Sequence, residues 1–98
     1  MLSSKQRAYL RGLANKETSL FHIGKNGLTP ELTAAVDEAL TARELVKIDV
    51  LANSEEDIRE IAGIIHERTH SEIVQIIGGK AVFYRKSKDK PVIELPKR

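Results

Sequence analysis

The chain has 98 residues, a formal net charge of +2 and no cysteine. A chain of that length buries roughly 60–70% of its unfolded surface, enough for one core but not for a deep enclosed cleft, and without thiols it forms no disulfide and has no cysteine nucleophile. The opening residues Met1 to Arg7 lack the apolar run of a signal peptide, and no stretch approaches the ~20 apolar residues that span a bilayer, so one cytoplasmic domain over 1–98 with no membrane partner is expected.

Charge is unevenly distributed. Residues 1–27 hold five basic side chains against one acidic, residues 28–72 four against eleven, and residues 73–98 seven against two. Folding that joins the two basic ends makes a positive surface opposite a negative one.

Residues 4–15 read as a helix capped by Ser3 or Ser4, with Gln6, Tyr9, Leu10 and Leu13 on one face and Arg7 and Arg11 one turn apart on the flank. Leu20 to Ile23 is a short strand. A second helix begins after Thr29, its predicted N-cap, with Pro30 at the first position and Glu31 in the first turn. Its stripe is Leu28, Leu32, Ala35, Val36, Ala39 and Leu40; Glu31, Asp37, Glu38 and Glu44 lie off that stripe and make an acidic outer side. Leu45 to Leu51 is the next strand, in which Val46, Ile48 and Val50 alternate with Lys47 and Asp49. Ser54 and Asp57 form an imperfect capping box for a third helix over about 55–69, with Ile58, Ile61, Ala62 and Ile65 as its stripe. Ile73 to Ile77 and Lys80 to Arg85 are strands, and Gly78-Gly79 between them implies an antiparallel hairpin. Residues 86–98 read as a basic tail in which Val92, Ile93 and Leu95 dock on the sheet. The order α-β-α-β-α-β-β predicts a two-layer α/β (α+β) domain with a four-stranded mixed sheet. The second and third helices share one face, and helix one, the tail or a partner covers the other.

The stretch from Ile23 to Leu32 carries the strongest functional signal. It joins a strand to a helix start through Gly24-Lys25-Asn26-Gly27, placing backbone N–H groups and a cation together, which suits a phosphate. Neither G-x-x-x-x-G-K-[ST] nor G-x-G-x-x-G occurs, so this is not a nucleotide-binding loop. His66-Glu67-Arg68-Thr69-His70 matches the zinc-binding H-E-x-x-H pattern, but no histidine follows as a third ligand and Glu72 lies too near the helix end to replace it. A zinc hydrolase is therefore the least favoured reading, and no catalytic residue, metal or cofactor is expected. Basic residues suited to a nucleic-acid backbone are Lys5, Arg7, Arg11, Lys25, Lys80, Arg85 and Lys86. Phe83 and Tyr84 point to opposite sheet faces, so at most one could stack on a base, and core packing of both is the commoner outcome.

The chain resembles the CRM (chloroplast RNA splicing and ribosome maturation) domain family in its bacterial stand-alone, YhbY-like form. The likeness runs through Ser4-Lys5-Gln6-Arg7, Leu10-Arg11-Gly12-Leu13-Ala14 and Ile23-Gly24-Lys25-Asn26-Gly27-Leu28-Thr29. It continues through Glu44-Leu45-Val46-Lys47-Ile48, Val74-Gln75-Ile76-Ile77-Gly78 and Tyr84-Arg85. The resemblance implies a fold similar to the C-terminal domain of translation initiation factor three and RNA binding through Gly24, Lys25, Asn26 and Gly27, with Arg7 and Arg11 beside the loop. It further implies a role in maturation of the large ribosomal subunit, with ribosomal RNA as the partner; separately, a monomer is expected. A protein-interaction module that docks a ribosomal protein through the acidic helices is the alternative.

Overall fold

The computed structural model describes residues 2–89 and 91–97; Met1, Lys90 and Arg98, the last two part of the predicted basic tail, lie outside the described residues. Seven elements follow in the predicted order: α1 Ser4–Ala14, β1 Phe21–Ile23, α2 Pro30–Arg43, β2 Leu45–Val50, α3 Ile58–Thr69, β3 Glu72–Ile77 and β4 Lys80–Tyr84. Ser3 is the cap of α1. Its Oγ accepts from the Gln6 N–H at 3.1 Å while Gln6 Oε1 accepts from the Ser3 N–H at 3.0 Å, a reciprocal box that fixes where the helix starts. Thr29 caps α2 as predicted, its Oγ1 accepting from the Leu32 N–H at 3.1 Å.

The start of α3 departs from expectation. The helix begins at Ile58 after Asp57, whose side chain makes no cap bond. Ser54 Oγ is instead committed to the peptide of Glu56, donating to its carbonyl at 3.1 Å and accepting from its N–H at 3.3 Å. That local turn keeps residues 54–56 out of the helix.

The four strands form one mixed sheet in the order β1-β2-β4-β3. β1 and β2 run parallel, while β4 pairs antiparallel with both β2 and β3. Strand alternation sends Val46, Ile48, Ala81 and Phe83 to one face, where α2 and α3 cover them with Val36, Leu40, Ile61, Ala62 and Ile65. Leu45, Val82 and Tyr84 face the other way and meet Leu10 and Ala14 of α1, with Ile93 and Leu95 of the tail at the margin. Phe83 and Tyr84 are thus both core residues, one on each face. Tyr9, on the helix face shared with Leu10 and Leu13, remains 43% exposed because Leu10 and Ala14 set the rotation of α1.

Glu44 does not belong to the acidic exterior. It ends α2 in the left-handed conformation (φ 67°) and is fully buried. Its carboxylate accepts backbone N–H groups of Ser87 at 2.7 Å, Val92 at 2.6 Å and Ile93 at 2.7 Å, so one side chain binds the tail to the domain. Burial alone would raise its pKa; the three N–H bonds and the nearby Lys86 outweigh that and hold it below the ordinary value. Val92 is tied by its backbone only, and its side chain, predicted to dock, is exposed.

Candidate nucleic-acid interface

The loop at the C-terminal end of β1 is a β-turn, closed by the Gly27 N–H donating to the Gly24 carbonyl at 2.9 Å. Its glycines face the protein itself. A Cβ at Gly24 would meet Asn53 Oδ1 at 3.2 Å, and one at Gly27 would meet Glu56 Oε1 at 2.4 Å. Gly27 also has a φ of 68°, which L side chains rarely adopt. A side chain at either position would crowd the 51–56 segment, and at Gly27 the left-handed backbone also favours glycine. The Leu28 N–H, beside the helix start, already donates to Glu56 Oε1 at 2.9 Å. What the loop presents outward is its tip, Lys25 and Asn26, both exposed.

Beside this tip an uncovered strip of sheet crosses all four strands. The register aligns His22 with Asp49, Asp49 with Lys80, and Lys80 with Ile77. Alternation places this row on the face that α1 covers elsewhere. His22, Lys80 and Ile77 are exposed. Asp49 lies between Lys80 and His22, 3.1 Å from Lys80 Nζ and 3.8 Å from His22 Nδ1, so it offsets part of the positive charge. One row further in, Lys47 Nζ lies 3.4 Å from the Ala14 carbonyl and joins the end of α1 to the sheet. His22 and Lys47 were not among the predicted contacts; the alternation in β2 was visible, but the row exists only through the strand register.

The remaining predicted contacts divide. Lys80 is in the row, and Lys5 is exposed on α1. Arg7 and Arg11 lie one turn apart on a flank of α1, and Gln6 Nε2 donates to the tail carbonyl of Pro96 at 3.0 Å. Arg7 is not beside the loop. Its guanidinium donates to the carbonyls of Ile73 and Val74 on β3, the edge strand furthest from β1 and roughly 14 Å away across three strand spacings. Arg85 is also structural: it donates to Asp37 Oδ1, the Thr69 carbonyl at 2.6 Å, the Asp37 carbonyl at 2.9 Å and Thr41 Oγ1 at 2.9 Å, bridging α2 and the end of α3. Arg85 and Lys86 follow Tyr84, which pairs with Leu45, whereas the tip follows Ile23, which pairs with Val50 at the opposite end of β2. The positive surface expected from joining the two basic ends is therefore two patches at opposite ends of the sheet.

The H-E-x-x-H match does not assemble a metal site. α3 ends at Thr69, and His70 is its left-handed cap (φ 56°), which turns its Cβ off the helical direction. His66 Nδ1 donates to the Ser71 carbonyl. Among the described residues no group of three His, Cys, Asp or Glu could hold a metal ion, and no helix is long and apolar enough to cross a membrane.

Three helices and a four-stranded mixed sheet in this order define a small two-layer α+β domain. The chain belongs to the CRS1 / YhbY (CRM) domain family, whose model matches residues 2–85. It is 42% identical to "Probable RNA-binding protein YqeI" of Bacillus subtilis over 96 residues, covering 98% of this chain and all of that protein. It is 36% identical to an "RNA-binding protein" of Haemophilus influenzae, covering 99% of this chain and 97% of the relative. Among solved structures, the solution structure of the Staphylococcus aureus protein SAV1595 superposes with a TM-score of 0.80 at 45% identity, covering 98% of this chain and all of that one.

Proposed function

We propose that this is a non-catalytic RNA-binding protein that acts as a monomer in the cytoplasm on ribosomal RNA in precursors of the large subunit, assisting their maturation. The observation that carries this reading is the placement of the Lys25-Asn26 tip and the His22–Asp49–Lys80 row at one end of the sheet. Together they offer cations and hydrogen-bonding groups on an open surface, which suits phosphate and shape recognition rather than chemistry on a small substrate. Family membership supports the RNA class of ligand.

The test is RNA affinity of a Lys25→Glu/Lys80→Glu double variant, measured by anisotropy or filter binding with large-subunit ribosomal RNA. Affinity falls at least tenfold with the far-ultraviolet dichroism unchanged; unchanged affinity overturns the reading. Crosslinking and sequencing of bound RNA in cells then identifies the ribosomal target.

The acidic exterior supports a second, compatible reading. Glu31, Glu38, Glu60 and Glu67 are exposed on α2 and α3, which cover the sheet face opposite the row, and they suit a basic ribosomal protein. Partners that persist in pull-downs after nuclease treatment support this docking, and partners lost with nuclease came through RNA.

A further inference from the structure

We propose that Glu56, in the segment between β2 and α3, is the positioning residue of the G-x-x-G turn. It fills from inside the place at the start of α2 where a phosphate would otherwise sit, and so confines RNA contact to the Lys25-Asn26 tip. The inference rests on the RNA-binding reading above and identifies how that site is built.

The geometry has three parts. Glu56 Oε1 accepts from the Leu28 N–H at 2.9 Å, next to the positive end of the α2 dipole, where a carboxylate is favoured. The same oxygen stands 2.4 Å from the point a Gly27 Cβ would occupy, so the carboxylate and the glycine are complementary: any side chain at 27 displaces Glu56. The peptide of Glu56 is in turn fixed on both sides by Ser54 Oγ, while Asn53 backs Gly24. The turn is thus backed at both glycines by a neighbouring loop, and its central dipeptide is the most exposed part.

This arrangement reverses the prediction that charge alone would give. An acid beside an RNA-binding loop repels phosphate, so on charge grounds its removal strengthens binding. If its task is to hold the turn, its removal lets the tip fluctuate, and ordering the tip again on binding costs affinity.

The experiment compares Glu56→Ala, Glu56→Gln and Glu56→Asp in the full chain, with large-subunit ribosomal RNA transcribed in vitro as the probe. Amide hydrogen exchange at Leu28 is measured on the RNA-free proteins. Glutamine keeps an acceptor at the same reach without charge; aspartate keeps the charge but falls one methylene short. The proposal expects Leu28 exchange to quicken at least tenfold and RNA affinity to fall about tenfold in the Ala and Asp variants, with Gln within threefold of wild type in both. It is overturned by Ala binding RNA as well as or better than wild type, by Asp behaving as wild type, or by Leu28 exchange unchanged in Ala. The exchange arm needs no RNA, so it decides the clasp even where Lys25→Glu/Lys80→Glu leaves affinity unchanged and the RNA-binding reading itself fails.

Discussion

At the residue scale, two glycines of one chain carry opposite expectations. Gly12 lies on the exposed side of α1 with nothing within 4 Å of the place a methyl group would take, so Gly12→Ala stabilises the domain by about 1 kcal/mol through helix propensity. Gly27 has a left-handed backbone and the Glu56 carboxylate in its Cβ space, so Gly27→Ala destabilises by about 2 kcal/mol. Urea denaturation of the two variants checks the difference in sign. Glu44 gives a pH dependence. Its folded pKa is depressed, so its contribution is fully present above the ordinary value of 4.5 and is lost as pH falls through the lower folded value. Glu44→Gln places an NH2 among N–H donors and costs about 3 kcal/mol at neutral pH. The gap between the urea midpoints of wild type and variant narrows below pH 4.5; a gap that stays constant from neutral pH into that acid range contradicts the anchoring role. Burial first, and then the Glu44 charge, raise the Tyr84 pKa, so the phenol stays protonated beside the buried carboxylate.

At the element scale, secondary structure was legible because periodicity and punctuation agreed. Thr29-Pro30 fixed one helix start, Gly78-Gly79 one hairpin, and the alternation of Val46 to Val50 one strand. Side-chain commitments across elements were not legible. Nothing local distinguishes Arg85 from Lys86, yet Arg85 bonds four acceptors on α2 and α3 while Lys86 is exposed. Glu44 looked like one more acid at a helix end, and its burial depends on where residues 87–93 return. A left-handed, non-glycine position is not visible in sequence either. Arg85 yields an expectation at this scale: Arg85→Lys loses the planar fork and destabilises by about 2 kcal/mol, read by thermal unfolding. RNA affinity of the folded fraction stays within twofold of wild type.

At the scale of the whole molecule, the split charge of the sequence resolves into separate surfaces, though not as a single basic face. The sheet has a loop end, with Lys25, Asn26, His22 and Lys80, and a tail end, with Arg85, Lys86 and Lys88. Arg7 and Arg85 spend their charge on protein carbonyls and a carboxylate. RNA is therefore expected to meet the loop end. The salt dependence of RNA affinity decides this when it is compared among wild type, Lys25→Glu/Lys80→Glu and Lys86→Glu/Lys88→Glu. Both variants change net charge equally, so a difference between them reports position rather than overall field. With about four to eight phosphates contacted, the wild-type slope of log affinity against log salt lies between about −3 and −7. The loop-end variant flattens that slope by about two and loses at least tenfold in affinity, while the tail-end variant keeps the wild-type slope and stays within threefold. Equal losses in both variants, or a larger loss at the tail end, contradict RNA binding at the loop end.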